Sequence, residues 1–596
     1  MHVRDLSALG PEADFQGVTF DPQPAADHGL EPPACHDVVV VGAGPVGLSL
    51  AIDLAQQGLH VVVLDDDNRL SSGSRAICFA KRTLEVFDRL GCAEPMVAKG
   101  VSWQTGRVFL GDAPLYQFDL LPESGHERPA FINLQQYHVE GQLAARAGQL
   151  PQIDIRWRNR VCGIEQDADG VLLSIETPDG PYRLRAGYVA ACDGSRSAVR
   201  ELMGLESKGQ VFRDRFLIAD VRMEADFPAE RWFWFDPPFH PGQSVLLHKQ
   251  ADHVWRIDFQ LGWDADPERE KQPEHILPRV QALLGRDARF ELVWASVYTF
   301  GCRRMAGFRQ GRVLFAGDAA HGVSPFGARG ANSGVQDADN LGWKLAAVLR
   351  GEAPDALLDS YAEERERAAD ENILHSTRAT DFITPKSAVS RLFRDAVLHL
   401  ARDHGFAREL VNSGRLSRPT SLSGCALLTE DAPRAGQPDF AGAALLCPGD
   451  PALDAPLAQA PGWLLRSLSR TGFTALVFAG EAQADPVGHR AVEQVMQAAG
   501  LLQAAGGLAV VRIDAQAAHA LAWRRYDARP GTVYLLRPDQ HVCARWRAAT
   551  AADVLAAQAR ALARVPHGLH AAGVAPDADG DTAAPVAARP GVAAAA

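Results

Sequence analysis

Hydrophobic and polar positions change texture several times along the chain. From Asp37 the run "VVVV" is apolar on both faces, as a buried parallel strand requires. A helix-period stretch, "VGLSLAIDLAQQG", follows and stops at Gly58, and "VVVL" at 61–64 completes a strand–helix–strand unit. Between 201 and 300 the segments "RFLIADVRM", "SVLLHKQ", "VWRIDFQLG" and "LVWASVYTF" alternate or are aromatic-rich, and predict an antiparallel sheet. Residues 341–412 carry mostly helical spacing, broken near Pro385. A new unit begins near 420, with "FTALVFAG", "GLAVVRI" and "GTVYLLRPDQHVCARW" as strands and an Ala-rich helix from about 550. Residues 1–35 read as a loose, Pro-rich arm and 571–596 as a low-complexity, disordered tail. The pattern is that of an α/β protein with more than one domain.

Composition narrows the partners. Apolar residues are 47% and charged residues 22% of 596, ordinary for a globular protein. The net charge of −13 argues against nucleic acid or an anionic membrane as the main partner, since both need a basic surface. No apolar run approaches the roughly 20 residues of a membrane span. The nine cysteines fall in no CxxC or zinc spacing, so neither a metal site nor a disulfide framework is expected. The first twenty residues contain no signal-peptide core, and a cytoplasmic protein is expected.

Candidate chemistry begins at "VVVVGAGPVGLSLAIDLAQQGLHVVVLD". Gly42, Gly44 and Gly47 form GxGxxG between strand and helix, with Pro45 at the helix start. The first glycine permits a tight turn, the second close approach to a pyrophosphate, the third close helix packing. Asp65, ending the second strand, is placed to bond a ribose hydroxyl. In a chain with 53 glycines a bare GxGxxG is weak; the flanking strand, helix and acid raise it to a dinucleotide site, without deciding which dinucleotide. Two later segments bear on that choice. "YVAACDGSRSAVRELMG" ends a strand in Asp193-Gly194. "FAGDAAHGVSPFGARGANSGVQDADNLGWKL" runs from a strand through a Gly-rich loop into a helix. The free N–H groups of that helix start can face negative charge.

Together, in this order and spacing, the three segments resemble the FAD-dependent aromatic hydroxylases, the group A flavoprotein monooxygenases. The resemblance covers about residues 36–400. It implies a Rossmann-type FAD-binding domain (36–415) with an inserted antiparallel-sheet substrate domain (about 201–300) and a helical portion (about 341–412). It further implies that Gly42, Gly44, Pro45, Gly47 and Asp65 hold the ADP half of FAD. Arg75 and Gln135 would touch the cofactor, with Gln136 the less favoured register. Asp193 and Gly194 would serve FAD and the transient NADPH or NADH. Gly317 and Asp318 would meet the ribityl chain, and Pro325, Gly330, Ala331 and Asn332 would flank the isoalloxazine ring. No second strand-linked GxGxxG is present for NAD(P)H. Arg329 stands where many relatives carry Gln or Lys. The unit at 420–570 resembles the thioredoxin-like domain of phenol-hydroxylase-type members, lacks CxxC, and is expected to be structural, with a homodimer among the assemblies it allows.

The activity implied is oxygen insertion into a phenolic ring through a flavin C4a-hydroperoxide. The partners are a small phenolic substrate, O2 and NAD(P)H, in aromatic catabolism of a 3-(3-hydroxyphenyl)propionate-like or simple phenol. Candidates for the substrate pocket are His248, Arg256, Asp258 and Tyr298, each of which is also explained by ordinary core or surface packing. Arg213 and Arg256 are candidates for an acidic substrate tail, and Trp232, Trp234 and Phe235 for an aromatic wall. His321 is a candidate to lie near the cofactor, and is equally explained by a hydrogen bond that braces the loop. Two other readings stand: a flavin-dependent halogenase, because "WFWFDPP" approaches WxWxIP, and a non-catalytic flavin-binding sensor or scaffold.

Overall fold

A computed structural model describes residues 15–71, 73, 76–225, 227–411, 418–431, 440, 446–480, 486–502 and 507–564, with a two-residue strand at His2–Val3. Arg75 and the tail 571–596 lie outside the described residues.

The first sheet is built on the valine runs. Its parallel strands lie in the order Ile153–Trp157, Val61–Asp65, Ala34–Val41, Tyr182–Ala191 and Val313–Phe315. Val38, Val39 and Val40 are wholly buried, because helices cover both faces of a parallel sheet. Two strands, Val171–Glu176 and Arg160–Gln166, extend it antiparallel from the lower half of Tyr182–Ala191. The ends of Ala34–Val41, Tyr182–Ala191 and Val313–Phe315 come side by side. The GxGxxG, DG and GD turns, far apart in sequence, therefore share one edge of the sheet.

The expected arm is loose only in part. Phe15, Val18 and Phe20 are buried, Phe20 stacks on Trp157 at 4.4 Å, and Asp27 pairs with Arg156. The aromatic anchors sit among polar residues, so their burial was not visible locally.

The second sheet also departs from its expected limits. Its order is His321–Gly322, Glu291–Met305, Ser207–Arg222, Val254–Leu261, Ser244–Lys249, Arg231–Phe235, Thr105–Leu110 and Ala113–Asp119. Arg231–Phe235 pairs in parallel with Thr105–Leu110, so a hairpin from outside 201–300 completes the sheet. Only the pairing partner reveals that, because a strand's edge carries no local sequence mark. One face packs Leu217, Val245, Leu247, Trp255 and Ile257 against Ile276 and Val280 of the helix Pro273–Leu284. The other looks toward the nucleotide domain.

A four-stranded sheet forms the C-terminal unit: Leu508–Asp514, Phe473–Ala479, Val533–Leu536 and Val542–Trp546, the first pair parallel and the rest antiparallel. Helices Pro486–Leu502 and Ala551–Ala561 pack on it, the latter opened by a Thr550/Asp553 capping box. Its turn at 537–541 enters a buried ionic seam. Arg537 bonds Glu364 at 2.7 Å and Asp539 at 2.6 Å, and Lys344 bonds Glu364 at 2.7 Å. Arg82 reaches Asp339 at 3.1 Å and the Asp539 carbonyl at 2.6 Å; Arg89 joins Asp339 to Asp53. Asp53 lies on the helix Pro45–Gln56, and Asp339 and Lys344 on the helix Gly330–Leu349. The seam thus fastens the C-terminal unit to both helices that follow glycine turns. Among the described residues no helix is long and apolar enough to cross a membrane.

Candidate active site

Three glycines shape the cradle, each for its own reason. Gly42 has φ +105, and a Cβ there would lie 2.5 Å from the Cys192 carbonyl oxygen. At Gly47 a Cβ would lie 1.9 Å from the Gly42 carbonyl oxygen, so helix and turn touch backbone to backbone. At Gly44 a Cβ would meet nothing within 4 Å. That open side lies at the start of the helix Pro45–Gln56, which has no side-chain cap, so its first amides are available to an anion. Asp65 Oδ2 accepts from the Ala43 amide at 2.6 Å, and burial raises its pKa to about 6. The acid braces the glycine turn. Asp193 sits against the same turn: one oxygen accepts from the Val199 amide at 3.0 Å and the other, buried, accepts no hydrogen bond. Gly194, with φ +77, opens onto free space. The cradle therefore fits a dinucleotide pyrophosphate: room where the phosphates would lie, free donors around it, and backbone contact where side chains would block it.

Gly317 has φ +61, and a Cβ there would come 2.9 Å from Val46, which locks the GD turn onto the first helix. Asp318 is exposed beside it. Beneath the turn lies a brace that the motifs did not announce. Asp337, wholly buried, accepts from the Gly317 amide at 2.9 Å, from His321 Nε2 at 2.6 Å and from Arg365 Nε at 2.6 Å. Burial alone would raise the Asp337 pKa; His321 and Arg365 outweigh it and hold the carboxyl below its ordinary range. His321 thus takes the bracing role, the simpler of its two readings.

The helix Gly330–Leu349 starts behind Pro325, which is exposed, and Ala328, at φ +53. Space remains around Gly330, whose Cβ would find only Val323 at 3.8 Å. Asn332 does not turn its side chain to this space. Its Oδ1 accepts from the Ala80 amide at 2.8 Å and Thr83 Oγ1 at 2.6 Å, while its Nδ2 donates to the carbonyls of Cys78 and Ala328. It ties the loop to the strand Cys78–Ala80. Arg329 is buried and donates to the Phe326 carbonyl at 3.3 Å. Gln135 is buried with Oε1 lacking a partner and Nε2 on the Ala251 carbonyl at 3.1 Å; Gln136 is engaged by Ser71, Ala76 and Glu140.

Register places the substrate candidates. Asp220, Arg256, His248 and Arg231 stand directly opposite one another on four adjacent strands, so their side chains share one face. Asp258 is two residues along from Arg256 on that face. The face looks toward the nucleotide domain: the Trp103 ring meets His248 edge-on at 6.3 Å, and the Cys78 thiol lies within the electrostatic reach of Arg231, Arg256 and Asp258. Four residues further along, Phe216 meets Phe326 of the loop at 4.8 Å, and Tyr298 stacks on Phe300 in the same phenylalanine layer.

The expected acid-tail residues need correction. Arg213 is exposed, and Arg256 is bound by Asp220 through two bonds of 2.8 Å. Trp232 and Trp234 pack on the far face with Phe109, so they are core and not a pocket wall; Phe235 alone of the three faces the site side. The cation that reasoning from sequence missed is Arg231. It is 9% exposed and has no hydrogen bond or ion pair among the described residues. His248 Nδ1 and Asp258 Oδ1 are buried and likewise unbonded. Burial, then Arg231 and Arg256, push the His248 pKa well below its ordinary value, so the ring is neutral. Burial raises Asp258 to about 6 against the pull of Arg256.

A glycine cradle for a dinucleotide, a second Gly-opened helix start beside it and a sheet face with buried unbonded polar atoms define a dinucleotide-binding protein of the α/β kind. Residues 36–376 match the family model described as FAD binding domain, more than half of the chain, and the chain belongs to that family. It is 33% identical over 377 residues to the 3-(3-hydroxy-phenyl)propionate/3-hydroxycinnamic acid hydroxylase of Mycolicibacterium smegmatis, across 62% of this chain and 65% of that one. It is 37% identical over 337 residues to the probable NADH-specific resorcinol 4-hydroxylase of Rhodococcus jostii, across 55% and 62%. The chain therefore matches just under two thirds of the length of these relatives. The flavin-dependent monooxygenase PieE, solved in complex with FAD and substrate, shares the fold with a TM-score of 0.73 over 90% of this chain and 100% of that chain, at 21% identity.

Proposed function

We propose that the chain is an FAD-dependent monooxygenase that hydroxylates a small phenolic substrate, using NAD(P)H and O2. The observation that carries this reading is the pairing of a fitted flavin cradle with one sheet face on which His248 Nδ1 and Asp258 Oδ1 are buried without a hydrogen bond. Gly42, Gly44, Pro45, Gly47 and Asp193 would hold the ADP half of the cofactor, and the backbone from Gly330 to Asn332 would face its ring. Bound there, FAD supplies the redox and oxygen chemistry. The chain orients and excludes water: Phe216, Phe300 and Phe326 make an apolar layer beside the loop. His248, kept neutral, offers Nδ1 to a phenolic proton, and Asp258 is a second acceptor once ionised.

The relatives named for hydroxyphenylpropionate and resorcinol support a phenol. The halogenase reading loses its sequence support, since the tryptophans of "WFWFDPP" are core on the far face. We read the inserted sheet as the substrate domain. The C-terminal unit is read as thioredoxin-like, on its strand–helix–strand followed by two antiparallel strands and a helix, and as structural.

The test is NAD(P)H consumption by the FAD-loaded protein with a panel of phenols. Substrate-stimulated oxidation with about one hydroxylated product per nicotinamide is expected from a coupled cycle. Oxidation that no phenol accelerates, or a product that requires halide, would overturn the reading.

A further inference from the structure

We propose that the outward face of the helix Ala388–Ala401, extended by the helix Gly405–Val411, is where a second copy of this chain docks. The inference does not depend on the hydroxylase reading. Val389, Leu392, Phe393, Ala396 and Leu400 recur at steps of a helical turn, so they line one side of the first helix. Phe406 and Leu410, one turn apart, add to the apolar surface on the second helix. The six large side chains among these are between 44% and 77% exposed.

The opposite side of the first helix is packed. Arg394, Val397, Leu398 and Ala401 are buried. Leu398 joins Phe216, Phe300 and Phe326 of the phenylalanine layer, and the Arg394 guanidinium lies 5.7 Å from the centre of the Phe235 ring. Arg408 donates to the carbonyls of Ala401 at 2.8 Å and Arg402 at 2.7 Å, which fastens the second helix to the first. An arginine turned inward and an apolar stripe turned outward are the reverse of what a surface helix carries in water.

Area and symmetry point to a copy of the same chain. At about 200 Å² for a fully exposed large apolar side chain, the six expose roughly 700 Å². The largest patch on an ordinary monomer is about 300–600 Å², and each partner contributes about 800 Å² to a stable interface. A two-fold contact also needs a surface that complements itself, one residue meeting another and the reverse. Ala396 sits near the middle of the stripe, with bulky residues to either side. A two-fold axis through it runs the helices antiparallel and sets Leu392 of each copy against Leu400 of the other. The small residue at the axis lets the two helices approach closely. An anionic membrane is the poorer occupant: the net charge is −13, and of the two arginines on the first helix Arg394 is buried.

The experiment is sedimentation velocity of the full FAD-loaded chain over a micromolar concentration range, for wild type, Leu392→Glu/Phe393→Glu and Leu501→Glu. Wild type should sediment as a dimer. The double variant puts unpaired charges in the contact and should raise the dimer dissociation constant at least about 100-fold, leaving a monomer. Leu501→Glu, at a leucine of similar exposure on the helix Pro486–Leu502, should remain a dimer. A positive counterpart is Ala396→Cys, at the axis. A short bismaleimide should join its two copies, and should not join wild type, whose exposed Cys35 lies on the strand Ala34–Val41. This variant decides the matter if the double variant does not load FAD. A monomeric wild type would overturn the proposal; if it also sediments with mixed phosphatidylcholine and phosphatidylserine vesicles, the face is a membrane contact instead. A dimer that survives in the double variant, or an Ala396→Cys dimer that does not cross-link, would overturn it too and put the interface elsewhere.

Discussion

Two buried polar clusters border the flavin domain, and they are built differently. In the seam with the C-terminal unit, Arg82, Arg89, Lys344 and Arg537 each meet a carboxylate of Asp53, Asp339, Glu364 or Asp539. Burial would raise the pKa of Glu364, yet Arg537 and Lys344 pull it down to about 2. On the sheet face only Asp220 and Arg256 are matched this way, while His248 Nδ1 and Asp258 Oδ1 are buried without a bond. A charge buried for structure brings its counter-charge with it. A buried polar atom without a partner leaves a place for one. The contrast separates architecture from site without reference to any motif.

The largest expected effect lies in the seam. Arg537→Met leaves Glu364 and Asp539 short of their main cation and should cost about 3–5 kcal/mol in denaturant unfolding. A loss below about 1 kcal/mol would mean that water reaches the seam and that it is not the dry counterpart supposed here.

The glycine cradle sharpens the comparison with a site made from backbone. Gly47→Ala drives a Cβ into the Gly42 carbonyl and should reduce FAD affinity by about 100-fold or more, roughly 2.7 kcal/mol. Gly44→Ala, with free space around it in the protein, should leave apo stability unchanged while still weakening FAD. Retained FAD in both variants, measured by flavin absorbance after gel filtration, would break the assignment.

Asp258 gives a smaller, pH-dependent effect. Its folded pKa, about 6, lies above that of an unfolded aspartate, so its contribution is fully present below about pH 4 and is lost as the pH rises through 6. Arg256 and Arg231 oppose the shift, and Asp220 adds to it. The stability of wild type relative to Asp258→Asn should therefore fall by roughly 2–3 kcal/mol between pH 4 and pH 7. A flat difference across that range would place Asp258 in water, outside the cluster.

Much of the cofactor site was legible in the sequence because its requirements are local. A positive φ at Gly42 and Gly317, a helix start at Pro45 and an acid after a valine strand all leave marks within a few residues. The sheet face was not legible in this way. Arg231 precedes "WFWF" and reads as an ordinary charged strand end. Its burial depends on a parallel partner, Thr105–Leu110, more than a hundred residues earlier. Arg256 was legible as a strand residue, but its neutralisation by Asp220 follows from the register of two long strands. In "DADNLGWKL" the Asp339 and Lys344 side chains serve the seam, which only the docked turn at 537–541 discloses.

The difference between the two clusters is tested most directly by the melting temperatures of ligand-free Arg231→Met and Arg537→Met, taken side by side. Removing Arg231, which keeps contact with water and has no ion pair among the described residues, should change stability by less than about 1 kcal/mol, whereas removing the dry, paired Arg537 should destabilise the chain by several. A large fall in Arg537→Met alone is the result expected here. A comparable fall in both variants would show that Arg231 is held by the folded protein as firmly as Arg537, and would contradict the contrast between the two clusters.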